Sequence, residues 1–193
     1  MTGRLDLLAD GVAAVVGLAL AVTAGLWPQT GGVAAAALIA SVGAAGWIVV
    51  SDVRTLTIAD GASVLIGLAG LARRLTLGDA PLLTTLVMVV QALIIGGLFY
   101  AVREVWYRRR GYDGLGLGDV KLAAAGTLAV GVEGLSVALF LAALAGLLVF
   151  ALVLRRRDAR LPLGALLAPL IVAVELVDPD RFALMALLGG GVG

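Results

Sequence analysis

No histidine and no cysteine occur anywhere in this chain of 193 residues. Their absence removes Ser-His and Cys-His nucleophiles, His/Cys zinc sites, disulfides and thiol redox chemistry in one stroke. Charge is also scarce. Only 14% of the residues are Asp, Glu, Lys or Arg, against 62% hydrophobic and a mean hydropathy of +1.11. A soluble domain of this composition would leave too many apolar side chains in water, so the chain reads as one polytopic α-helical membrane domain over 1–193. The formal net charge of +1 says little; where the charges sit says more. Glycine is abundant, with 27 residues, and patches such as Gly43-Ala44-Ala45-Gly46 suit close helix packing in lipid.

Uncharged stretches locate the spans, because about 20 apolar residues cross the hydrocarbon. Residues 11–51 carry no charge, and Trp27-Pro28-Gln29-Thr30-Gly31-Gly32 divides them into two spans, the first at about 8–26. Further spans are expected over 61–72, 80–102, 120–132, 134–154 and 161–177, which makes seven crossings. Three of these are short and draw Asp60, Asp119, Lys121 and Glu175 towards membrane depth, where they must face protein or a wet cavity. With the N-terminus in the cytoplasm, cytoplasmic segments collect 11 of the 14 basic residues, Arg108, Arg109 and Arg110 among them. Arg73, Arg74 and Arg181 remain outside. The positive-inside rule favours that orientation. A competing reading makes residues 1–24 a cleaved signal ending near Ala24, but Asp6 and Asp10 ahead of the apolar run argue against it. Phe182 to Gly193 is apolar yet too short to span.

Two carboxylates then stand out, each at the end of an apolar run and both on the cytoplasmic side. They are Asp52 in W-I-V-V-S-D-V-R and Asp119 in G-L-G-L-G-D-V-K-L, 67 residues apart. Without His or Cys, carboxylates are the natural acid and base for hydrolysis. Two in close contact cannot both ionise cheaply, so one can take a proton from water while the other polarises a carbonyl. Four glycines lie in the eight residues 111–118; Gly116 and Gly118 permit close backbone approach and positive φ, and such a loop can gate a polypeptide. The plain alternative is a flexible loop whose neighbouring arginines serve only topology. A rival from another class is a small transporter that carries protons or cations on paired intramembrane carboxylates.

Residues 114–131, G-L-G-L-G-D-V-K-L-A-A-A-G-T-L-A-V-G, closely resemble the G-x-G-D-x-K-L signature of type IV prepilin peptidases, which are polytopic aspartyl proteases. V-V-S-D-V-R-T-L-T-I-A-D (49–60) is similar to the family's other aspartate and the I-P-N or I-P-D element after it. Leu161-Pro162-Leu163-Gly164-Ala165 resembles the P-x-G start of its last helix. The matches run in order from about Val33 to Val177, an expected six-helix core of about 33–177 preceded by one extra span. The resemblance implies Asp52 and Asp119 as the catalytic pair, with no metal or organic cofactor and water as the second substrate. It implies a bacterial inner-membrane endopeptidase that removes the basic leader of prepilin-like or pseudopilin precursors, next to a Gly, at the cytoplasmic face. Nothing in it implies a nucleic-acid partner.

Two departures matter. Ala59 replaces the usual Pro, and no cytoplasmic insertion with paired cysteines is present. The second points to leader cleavage without N-methylation, as in the short peptidases that serve Flp/Tad-type pili. Supporting roles carry a plain alternative each. Lys121 holds the substrate backbone or sets the local field, or else snorkels to the interface. Arg54 is a ligand or a topology anchor. Pro162 suits the first turn of a helix. Asp60 suits an N-cap. Asp113 is expected to face water, and Asp79, Glu133, Asp178 and Asp180 to be solvated outer charges.

Overall fold

The computed structural model describes residues 32–77, 81–151 and 162–177. Among these every regular element is an α-helix, as the composition requires. Five helices follow one another: α1 (Gly32–Thr55), α2 (Asp60–Leu77), α3 (Pro81–Arg110), α4 (Leu117–Val149) and α5 (Leu163–Leu176). Among the described residues, three segments are long and apolar enough to cross a membrane: Gly32–Thr55, Thr85–Arg110 and Leu117–Val149. The expected span at 8–26 and the tail at 182–193 lie outside the described residues.

α4 is two helices in effect. Gly131 has φ 73° and ψ 177°, a conformation open essentially only to glycine. A Cβ on Gly126 would stand 3.0 Å from Leu135 Cδ1. Nine residues of straight helix would hold those positions roughly 13 Å apart, so the chain turns back at the break. The charge pattern put this division at Glu133; the backbone makes it two residues earlier, where a residue without Cβ is available, and leaves Glu133 exposed on the arm that follows. The arms are 117–130 and 132–149.

The first arm of α4 is the hub. α2, α3 and α5 pack on α4, and α1 closes the other side against α2 and α5. Leu38, Ile48, Ile66, Leu122, Leu135, Leu167 and Ile171 fill the centre, all but inaccessible. Small residues set the spacing: a Cβ on Gly70 would overlap Ala129, so α2 and α4 meet nearly backbone to backbone. α3 contributes least to the core and turns Leu82, Leu93, Ile94 and Leu98 outward, as a lipid-facing helix does. Glu175 meets the expectation for a carboxylate drawn to depth. It is buried beside Ser41 and Arg73, and the Arg73 guanidinium donates to the Glu175 carbonyl at 2.7 Å.

Candidate active site

Asp52 stands in the last turn of α1, on the face that carries Ile48 and Val49. Both neighbours are inaccessible, and Asp52 itself is only 4% exposed. A carboxylate there needs a partner, and α5 supplies one. The Ala165 N–H donates to Asp52 Oδ2 at 2.8 Å. Ala165 is the third residue of α5, so this donor is one that the helix cannot satisfy itself, at the end where its dipole favours negative charge.

Glycine makes that approach possible. A Cβ on Gly164 would stand 3.0 Å from Asp52 Oδ2 and 2.5 Å from Ile58 Cδ1. Pro162 occupies the N-cap position just before, rather than the first turn, and its missing N–H costs nothing there.

Between α1 and α2 the chain reverses through Leu56, whose φ of 53° is unusual for a residue with a side chain. Its N–H bonds back to the Asp52 carbonyl at 2.9 Å, which closes α1 and turns the next residues over the site. Ile58 then wedges between two helix starts. It meets Gly164 on one side; on the other, a Cβ at Gly118 would stand 2.8 Å from its own Cβ. The two glycines are visible in the sequence, but the residue that they make room for is not.

Asp119 is the third residue of α4 and is partly buried. Its carboxylate folds back on Gly116, hydrogen-bonded to the backbone there, and a Cβ on Gly116 would stand 3.0 Å from Oδ2. This is the carboxylate half of a capping box, with a glycine N-cap that offers no side chain in return.

Asp52 and Asp119 line one cleft of about 950 Å³. Its other walls are Leu56 to Ile58, the 112–118 loop, Trp106 and Leu163. The two carboxylates are near enough to feel one another's charge.

The glycine loop is tied down on α3. Trp106 meets Tyr112 edge to face at 6.4 Å, Arg110 lies over its ring at 5.6 Å, and Gly114 sits so close that a Cβ would reach 2.5 Å from the indole nitrogen. Asp113 is exposed, as expected, and its carboxylate also pairs with Arg103 at 2.7 Å. Nothing local in the sequence marks Trp106 as the anchor of a loop eight residues on, or Arg103 as more than one of the cytoplasmic basic residues.

Of the supporting residues, Gly116 and Gly118 line the cleft, and Gly164 packs against Asp52 and Ile58 without lining it. Arg54 is exposed in the last turn of α1 and does not line it. Lys121 points to another flank of α4, where its ammonium pairs with Asp60 at 2.6 Å. Asp60 is the first helical residue of α2 rather than its N-cap, and Ala59 takes that position, its carbonyl accepting from Ala62 and Ser63. Asp79, Asp178 and Asp180 lie outside the described residues.

Paired carboxylates in an open cleft can hold a water between them and exchange one proton, which is general acid–base chemistry without a metal. The family model described as the type IV leader peptidase family matches residues 39–151. That range holds both aspartates and the glycine loop, and it stops short of Pro162 and Gly164. No curated protein and no solved structure matches the chain.

Proposed function

The chain belongs to the type IV leader peptidase family, and from that premise we propose that it is an aspartyl endopeptidase with Asp52 and Asp119 as its catalytic pair. Its substrates are precursors of type IV prepilin or pseudopilin type, with a basic leader ahead of an apolar membrane helix; Flp/Tad-type prepilins are the class that a short peptidase suits. Cleavage takes place at the cytoplasmic membrane face. One observation carries the reading: two aspartates 67 residues apart in sequence border one open cleft with a mixed polar and apolar lining.

In the reaction one carboxylate accepts a proton from the attacking water. The other, protonated, donates to the scissile carbonyl oxygen as the tetrahedral centre forms. As the C–N bond breaks, the first carboxyl gives its proton to the leaving amine and the second takes one back from a hydroxyl of the tetrahedral centre, so the pair returns to its starting state. A substrate helix hides its carbonyls in its own hydrogen bonds, so the cleaved stretch must be extended; a glycine at the leader's end makes that cheap. The Ala165 N–H holds Asp52 in place throughout.

Leader cleavage without methylation follows from a chain with no cysteine pair to build the metal-binding part of a methyltransferase insertion. The test is incubation of the purified protein with a prepilin from the same cell, read by mass spectrometry. The expected product is the mature subunit with a free N-terminus, its mass unchanged by added S-adenosylmethionine. An intact precursor overturns the peptidase; a product heavier by one methyl group overturns the absence of methyl transfer.

A further inference from the structure

α2 and α3 both lie against the first arm of α4 but scarcely touch one another, and a groove of about 510 Å³ runs between them. Its floor is small. Gly67, Ala92 and Ala125 line it, and a Cβ on Gly67 would stand 3.3 Å from Ala125. Leu68 and Leu93 stand on its flanks, 56% and 70% exposed. One end is polar, formed by the ion pair of Lys121 and Asp60, whose side chains stay 50% and 65% exposed.

That polar end is level with the cleft. Asp60 follows Ile58 by two residues and Lys121 follows Asp119 by two, and both Ile58 and Asp119 border the cleft. Lipid can also fill an apolar groove and set its headgroup at the ion pair, but it gains nothing from a floor of small residues. A membrane helix uses both. Small residues let its backbone come close, which is how helices gain contact where lipid is as apolar as they are. Its first turn carries unpaired N–H groups that a carboxylate accepts, and the extended chain before that turn carries carbonyls to which an ammonium donates.

We infer that this groove seats the apolar helix of the precursor, with Asp60 on the first turn of that helix and Lys121 on the extended segment leading to the cleft. The inference rests on the leader-peptidase reading, and it gives a role to Lys121 that does not depend on contact with the dyad.

The experiment places a photo-crosslinking residue at Leu68 or Leu93, and at Phe140 as a control that is 69% exposed on the other arm of α4. Each protein, with both aspartates intact, is reconstituted in liposomes with a precursor that has a basic leader, a glycine and one apolar helix. Cleavage and crosslinks are read from the same sample. Crosslinks to the precursor at Leu68 and Leu93, absent at Phe140 and displaced by unlabelled precursor, support the groove. Cleavage with crosslinks only to lipid, to a second copy of this chain, or at Phe140 alone overturns the groove and leaves the peptidase standing. Displaceable crosslinks in the groove without cleavage do the reverse. As an independent measure, Ala92→Trp fills the groove and should raise KM roughly tenfold with kcat within about twofold, the mark of lost ground-state binding; an unchanged KM overturns the proposal.

Discussion

A few atoms decide the site at the residue scale. Gly164 must lack a Cβ because Asp52 and Ile58 already occupy that space. Gly164→Ala should push the start of α5 away from Asp52, break the Ala165 hydrogen bond, and lower cleavage by roughly tenfold or more, since small displacements at a reacting centre cost that much. Removing the other party to the clash should help: Gly164→Ala with Ile58→Ala should recover part of the loss. Initial rates of precursor cleavage for the two single variants and the double variant measure that coupling. Strict additivity would mean that Ile58 and Gly164 do not share a contact. These residues also mark the limit of what the sequence can disclose. Glycines at 116, 118 and 164 announce close approaches, and two aspartates without a histidine in reach announce the chemistry. The partner in each approach is set by tertiary packing, so Ile58 and Trp106 carry no local sign of their part. Lys121 shows the converse. It sits two positions from Asp119 in the signature, yet a helix turns each residue by about 100°, so those side chains leave α4 in different directions.

Helix breaks are the element-scale feature. Uncharged runs located the described helices, because crossing hydrocarbon imposes a length and forbids charge, but α2 extends five residues and α3 eight residues past their expected ends. The runs also misplaced the break in α4, since a charged residue marks where a chain leaves the membrane, whereas the backbone reverses at the nearest position able to adopt the required dihedrals. Gly131→Ala should therefore destabilise the protein by about 1–3 kcal/mol, the usual cost of forcing a side chain into such a conformation. A lowered midpoint of thermal unfolding in detergent is the expected result. An unchanged midpoint would mean that the turn at 131 is not held in this conformation. The loop from Gly111 to Gly116 illustrates a second limit. Its glycines read as freedom to move, but Trp106, Arg103 and Asp113 fasten it to α3.

For the whole molecule the account requires Asp52 and Asp119 to share one membrane face, and a chain without cysteine makes that simple to examine. Single cysteines at Thr55 and Tyr112, both exposed near the cleft, should react with an impermeant thiol reagent from the cytoplasmic side. Cysteines at Thr76, exposed at the far end of α2, and at Glu133, exposed at the start of the second arm of α4, should react only from outside. Labelling of Thr55 and Tyr112 from different sides would separate the two aspartates. The distribution of arginines favours this orientation, because translocating charge is costly however the helices pack. How the helices pack was not legible in the same way. Apolar faces in lipid carry little amphipathic signal, and their order around α4 depends on which small residues meet.

The most direct measurement compares Asp52→Asn, Asp119→Asn and the double variant with the unaltered protein, using cleavage of one precursor by equal amounts of membrane-inserted enzyme. If the carboxylates act as a single acid–base pair, each substitution alone should cost roughly 10²–10⁴ in rate, and the double variant should be no worse than the poorer single one. Glu133→Gln, exposed and remote from the cleft, should cleave normally. Near-normal cleavage by either Asp52→Asn or Asp119→Asn would contradict the paired mechanism and remove that residue from it.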